Sequence, residues 1–285
     1  MNTEERSELW ESLCTVEDWL SGTAACASRG RSPGIWGHED GLKRDHPAPD
    51  FAHAAFMEAA AKEAARRETA APDPADGGLH ERDRGNLRTA GASGRTLPVI
   101  PGDSLERIAA EISRCTGCRL AASRRNTVPG QGVPEPVVLV VGEGPGQEED
   151  SSGLPFVGPA GRLLDKMLQA IGLSRTTNCH IANVVKCRPP MNRDPAPDEQ
   201  AACQGYLDRQ IAVLRPRVIL CAGKVASQAL TGAKDGIGRL RGREFDYCGI
   251  PLVATYHPSA LLRDESLKRP AWEDLKRLRG ILTDG

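Results

Sequence analysis

The sequence predicts an α/β fold of three layers, a central parallel sheet with helices on both faces, built from residues 101–285 behind an N-terminal extension of residues 1–100. Three observations carry this reading. From residue 104 onward short apolar runs alternate with helix-compatible stretches of ten or more residues, the pattern of right-handed βαβ units whose sheet is covered on both sides. The 285 residues, 39% of them apolar, suffice to bury one full α/β core with length to spare. Two segments with functional side chains each follow an apolar run, so both emerge at the carboxyl edge of the sheet, where such folds bind ligands.

A helix around 104–115 opens the domain. Strands are expected at 137–142, 179–186, 217–222 and 250–256, with helices at 160–171, 198–213, 223–231 and 270–283. The sequence contains no internal repeat. Upstream, residues 3–20 set Leu9, Leu13, Val16 and Leu20 on one helical stripe among acidic residues. Such a helix suits docking on a replication or repair protein as well as packing back on its own domain. Residues 21–50 and 72–100 are rich in Gly, Pro and charge and read as linkers around an alanine-rich helix at 54–71.

The net charge of −1 hides an asymmetry. Residues 1–100 carry 12 Lys and Arg against 17 Asp and Glu, whereas residues 101–285 carry 25 against 21. That excess permits a phosphate-tracking surface on the domain without demanding one. No stretch reaches the roughly 18 apolar residues of a membrane helix, and the acidic N-terminus is unlike a signal peptide, so a cytoplasmic chain with no membrane partner is expected. Nine cysteines in a reducing compartment point to thiols or metal rather than disulfides.

Two motifs stand at strand ends, and a third residue of note lies within a strand. Gly142-Glu143-Gly144-Pro145-Gly146 follows the first strand and lets backbone pass close to a ligand; it is no dinucleotide fingerprint, because Gln147 occupies the place of the third glycine. Asn183 lies inside an otherwise apolar run, a costly place for an amide unless it is paired. His257-Pro258-Ser259-Ala260-Leu261-Leu262-Arg263 follows the last strand. Beside these, Cys115-Thr116-Gly117-Cys118 precedes the first strand, Cys187 opens a proline-rich bend, and Cys203 lies sixteen positions further on. Four such cysteines suit either zinc or a [4Fe–4S] cluster, and spacing alone does not separate the two. Cys179 and Cys221 fall in apolar strands and read as packing residues.

Taken together, these segments resemble the motifs of family 4 uracil-DNA glycosylases, the iron–sulfur branch of that superfamily, over about residues 105–283. The resemblance implies the three-layer αβα glycosylase fold and the removal of uracil from single- or double-stranded DNA by a monomer. It favours a [4Fe–4S] cluster on Cys115, Cys118, Cys187 and Cys203. It gives Phe156 as the ring on which the flipped base stacks, and Glu149 as the residue beside uracil C5 that excludes thymine. The Asn183 amide would meet N3–H and O4 of uracil and disfavour cytosine. His257 would donate to O2 as charge builds on the departing base. Glu143 would stabilise the oxocarbenium-like sugar and orient water, with Glu149 as its rival. Gly144, Ser259 and Arg263 complete the substrate contacts, the last two at phosphate, and Leu261 is the wedge that would fill the gap left by the flipped nucleotide.

Two departures from neighbouring branches matter. Family 1 enzymes have an Asp at the place of Gly144, so their base cannot be carried over directly. The competing reading is a binder, either a covalent uracil-DNA sensor or a polymerase-associated adaptor. The covalent branch has Gln at the place of Gly144 and a histidine in an inserted loop; here residues 233–238 contain no histidine.

Overall fold

The computed structural model describes residues 96–283, all within one compact unit; the helix 3–20, the helix 54–71 and the linkers expected upstream lie outside the described residues. Its elements are α1 (Leu105–Ser113), β1 (Gln131–Gly132), β2 (Val138–Gly142), α2 (Gln147–Ser152), α3 (Pro159–Gln169), β3 (Cys179–Asn183), α4 (Pro197–Leu214), β4 (Val218–Ala222), α5 (Lys224–Thr231), α6 (Ile237–Leu240), β5 (Phe245–Tyr247), β6 (Ile250–Thr255), α7 (Pro258–Arg263) and α8 (Lys268–Thr283). No described helix is long and apolar enough to cross a membrane.

The strands form one sheet in the order β1-β3-β2-β4-β6-β5. The four central strands are the four that the sequence predicts, and they pair in parallel. The expected central parallel sheet is extended at both edges by short strands that the sequence did not mark, β1 and β5, which pair antiparallel with β3 and β6. Strand β5 joins β6 through Cys248 and Gly249, both with positive φ (54° and 84°), the backbone that a tight hairpin of the sheet's twist requires. Strand β3 also ends at Asn183 rather than at 186, because residues 184–186 leave the ladder to follow the loop after β2, with Val184 N–H donating to Gly142 O and Val185 N–H to Glu143 O.

Alternate residues of the central strands feed two cores. Val138, Val140, Ile181, Leu220 and Val253 pack with Leu164, Met167 and Leu168 of α3 and Leu275 and Leu278 of α8. On the other face Leu139, Val141, Ala182, Ile219 and Leu252 pack with Leu207 and Ile211 of α4 and Leu230 of α5. Burying both faces fixes the sheet edge-on, so every loop that leaves a carboxyl end opens on the same side. Helix α1 is tied to α4 by Arg209, whose guanidinium reaches Asp103 at 2.7 Å and Glu111 at 2.5 Å.

Candidate active site

The loops after β2, β3, β4 and β6 enclose a cleft of about 630 Å³, ample for a nucleotide-sized ligand. Glu143, Gly144, Glu149, Phe156, Asn183, His257, Ser259 and Arg263, all expected from the sequence, line it.

The deepest part is set by β2 and β3. Gly142 pairs with Asn183 across the parallel ladder, and a Cβ on Gly142 would lie 2.4 Å from Asn183 Oδ1 and 2.6 Å from Phe156 Cζ. Asn183 is 1% exposed, and its Oδ1 is the buried side-chain oxygen that finds no hydrogen-bond partner among the described residues. An acceptor left unpaired in this way is costly, and a ligand N–H would relieve it. Phe156, also buried, adopts a left-handed backbone (φ 52°) that a bulky residue seldom takes. Two contacts hold it there. Arg175 donates to the carbonyls of Pro155 (2.9 Å) and Phe156 (3.0 Å), and Gly161 of α3 comes so close that a Cβ would meet Phe156 O at 1.9 Å.

His257 caps α7 and sits 5.6 Å from the Phe156 ring, centroid to centroid. Its Nδ1 accepts from Ser259 N–H (3.2 Å) and lies 2.8 Å from Ser259 Oγ. An Nδ1 that accepts a backbone N–H leaves the imidazole proton on Nε2. Burial, helped by the nearby Arg263 charge, lowers the His257 pKa to about 4, so the ring is neutral at pH 7. Gly223 (φ 98°) leaves the room His257 needs, since a Cβ there would come 2.9 Å from His257 Cβ.

Glu143 is half-buried at the mouth of the first motif. Desolvation, then the like charge of Asp194, raise its pKa to about 7, against the opposing pull of Lys224. Asp194 and Lys224 pair at 2.8 Å on the rim. Gly144 has no room for a larger residue unless Val185 shifts, because a Cβ would lie 2.7 Å from Val185 Cγ2. Glu149 is a brace within the cleft wall. Its carboxylate accepts from the backbone N–H groups of Gly146 (3.1 Å), Val157 (2.9 Å) and Gly158 (3.1 Å), joining the loop after β2 to the start of α3.

Leu261 requires a correction. It is fully buried in the core beneath α7, because α7 turns that position inward, and it has no surface from which to enter DNA. The next residue, Leu262, is 50% exposed. Sequence reading also missed Asp194 and Tyr256 in the cleft wall, the latter beneath the Arg241 guanidinium at 5.2 Å. Their partners lie 30 residues away for Asp194 and on a separate element for Tyr256, so no local pattern marks them.

Cys115, Cys118, Cys187 and Cys203 line a second cavity with Ile112, Arg124 and Tyr206. Three of their sulfurs have a nitrogen close by: Gly117 N at 3.4 Å from Cys115, Arg124 Nη1 at 3.3 Å from Cys187 and Lys186 N at 3.4 Å from Cys203. No three His, Cys, Asp or Glu side chains among the described residues converge on the position of a single ion. Cys179 and Cys221 are buried in β3 and β4, and burial pushes the Cys179 thiol up to about 12.

Comparison with known proteins agrees with this geometry. The family described as the uracil DNA glycosylase superfamily matches residues 129–276. The type-4 uracil-DNA glycosylase of Sulfurisphaera tokodaii is 42% identical over 188 residues, covering 63% of this chain and 85% of that protein. The type-4 enzymes of Thermotoga maritima and Archaeoglobus fulgidus are each 42% identical, over 182 and 184 residues, covering 62% of this chain and 94% and 92% of theirs. The chain belongs to the uracil-DNA glycosylase superfamily, in its type-4 branch.

The site makes a spectroscopic prediction. Nitrogen NMR of His257 at pH 7 will show a neutral ring protonated on Nε2, with charging only near pH 4. Because the folded-state pKa is depressed, burial of this neutral ring stabilises the fold fully above about pH 6.5, and that contribution is lost as pH falls toward 4. An imidazolium signal at pH 7 would contradict the assignment.

Proposed function

We propose that this chain excises uracil from DNA by hydrolysing its N-glycosidic bond, leaving an abasic site for base excision repair. The observation that carries the reading is the unpaired Asn183 Oδ1 on the floor of a cleft that also presents Phe156 and His257. A uracil edge offers N3–H to that oxygen and O4 to the amide nitrogen. Cytosine reverses both, so it would leave the buried amide mismatched. Membership of the type-4 branch supports the same substrate.

The residues divide the work. Extrusion of the nucleotide lets the base lie against Phe156, where the strained backbone holds the ring ready. His257 donates Nε2–H to O2 as the base leaves with negative charge. A neutral donor suits this step, because a contact that strengthens with developing charge lowers the barrier rather than merely binding the ground state. Glu143, ionised, faces the cationic sugar and draws a proton from the attacking water. Its raised pKa places the acid limb of the rate profile near pH 7 in the free protein, with activity falling below it. Glu149 keeps the loops in register while it fills the space beside the base. Ser259 orients His257, and Arg263, exposed on α7, adds positive charge for phosphate.

The four cysteines line a shared cavity, with N–H donors facing three of the sulfurs, and membership of the type-4 branch favours a [4Fe–4S] cluster over zinc as the group they hold. Bound there, such a cluster would cross-link the 115–118 turn, the chain beyond β3 and α4. Hydrolysis of an N-glycosidic bond needs no electron transfer, so its contribution is structural. We assign excision to residues 101–285 acting as a monomer, and treat residues 1–100 as an extension whose segment 3–20 is the docking candidate for a replication or repair protein.

Uracil-containing oligonucleotides, single-stranded and duplex, incubated with the chain and cleaved with alkali, test the reading directly. The parental protein will leave alkali-labile sites at uracil. His257→Ala will lower single-turnover excision by about 10²–10³-fold with binding of uracil-DNA nearly unchanged; excision at the parental rate would remove His257 from the mechanism. Protein purified without oxygen will be brown and contain about four irons per chain, falling in Cys203→Ala. One zinc and no iron would reject the cluster.

A further inference from the structure

Five large apolar side chains are exposed among the described residues. Val99 and Ile100 lie near the beginning of the described chain, whereas Leu154, Met191 and Leu262 flank residues that line the cleft. Single exposed apolar residues are ordinary. Met191 is not ordinary. It is 91% exposed, stands between the lining residues Pro189 and Asn192, and has a left-handed backbone (φ 54°, ψ 22°) that continues into Asn192 (φ 55°). Two consecutive non-glycine residues in that region persist only where the surroundings over-determine them.

The surroundings do so. Pro189 and Pro190 restrict the backbone before Met191. Asn192 N–H donates to Pro189 O (3.0 Å), Arg193 N–H donates to Pro190 O (3.2 Å), and Arg188 Nε donates to Asn192 Oδ1 (2.8 Å). Downstream, Arg193 grips Glu199 with two donors, at 2.6 and 2.8 Å, and the Glu199 carboxylate also accepts from Ala196 N–H at 2.7 Å. The loop thus presents an unbranched, exposed apolar side chain beside the cleft, on a base held by these hydrogen bonds. Neither core uses Met191. A rigid apolar tip beside a cleft for an extruded nucleotide, with Arg188 at its base and Lys224 and Arg263 elsewhere on the rim, matches an unstacked base step between phosphates.

We propose that Met191 is a DNA wedge, inserting into the base stack beside the extruded nucleotide from the rim formed by residues 189–193. The inference rests on the glycosylase reading, and it replaces the role expected of Leu261 with a residue from a different loop.

Single-turnover excision is compared on uracil in single strands and in a U·G duplex for the parent, Met191→Asn and Met191→Leu. Asn tolerates the left-handed backbone, so the turn is kept. Met191→Asn will lose about 10- to 100-fold more on the duplex than on the single strand, and Met191→Leu will recover most of the difference. An equal loss on both substrates, or none on either, overturns the proposal. A second readout is independent of base removal: 2-aminopurine placed next to an abasic site in a duplex will brighten on binding the parent and not on binding Met191→Asn. Absence of any difference between them overturns the wedge even if uracil excision is confirmed. A parent that excises no uracil but brightens the probe through Met191 would instead overturn the glycosylase reading alone.

Discussion

The pairing of Gly142 with Asn183 across β2 and β3 is the constraint on which the site depends. Parallel register sets the last residue of each strand side by side, and the missing side chain of one leaves the space into which the amide of the other and the Phe156 ring project. Everything else around the recess answers to that geometry. Arg175 and Gly161 hold Phe156 in an unfavourable backbone, Gly223 gives way to His257, and Ser259 turns the imidazole. None of these residues follows from local propensity. Each follows from the need to bring one amide, one ring and one imidazole to the same few ångströms at the sheet's carboxyl edge.

Burial then supplies the electrostatics. Burial in the same cleft acts on two groups of opposite type, lowering the pKa of His257 and raising that of Glu143. The result is a neutral donor where negative charge will develop and a base whose ionisation is centred near neutral pH, without a buried ion pair to hold them. The Asp194–Lys224 pair on the rim leaves both signs of charge beside Glu143. Glu149 shows the opposite use of a carboxylate. With three backbone N–H donors it serves as a fixed brace, the kind of scaffolding that keeps a loop-built site from loosening.

Much of this was legible in the sequence, and the failures have physical causes. The four central strands were visible because each is an apolar run that alternates with a helix-compatible stretch. The edge strands β1 and β5 were not, because two or three residues carry no period. Asn183 stood out as an amide among aliphatic residues, and the structure leaves its Oδ1 unpaired. Leu261 and Leu262 could not be told apart without the phase of α7, a six-residue helix in which one position turns inward and the next outward. Asp194 with Lys224, and Arg241 with Asp274, are joined over 30 residues or more, beyond any local motif. Met191 was hidden for a different reason: the sequence shows a methionine after two prolines, and only the backbone angles show that it is held out.

The central claim is that the Asn183 amide reads the base. Replacing it by Asp exchanges the donor for an acceptor at constant size, and the ratio of uracil to cytosine excision from matched single-stranded oligonucleotides measures the consequence. This ratio will collapse in Asn183→Asp, by about 10²-fold or more. A variant that excises uracil with the parental preference would show that selection lies elsewhere in the cleft.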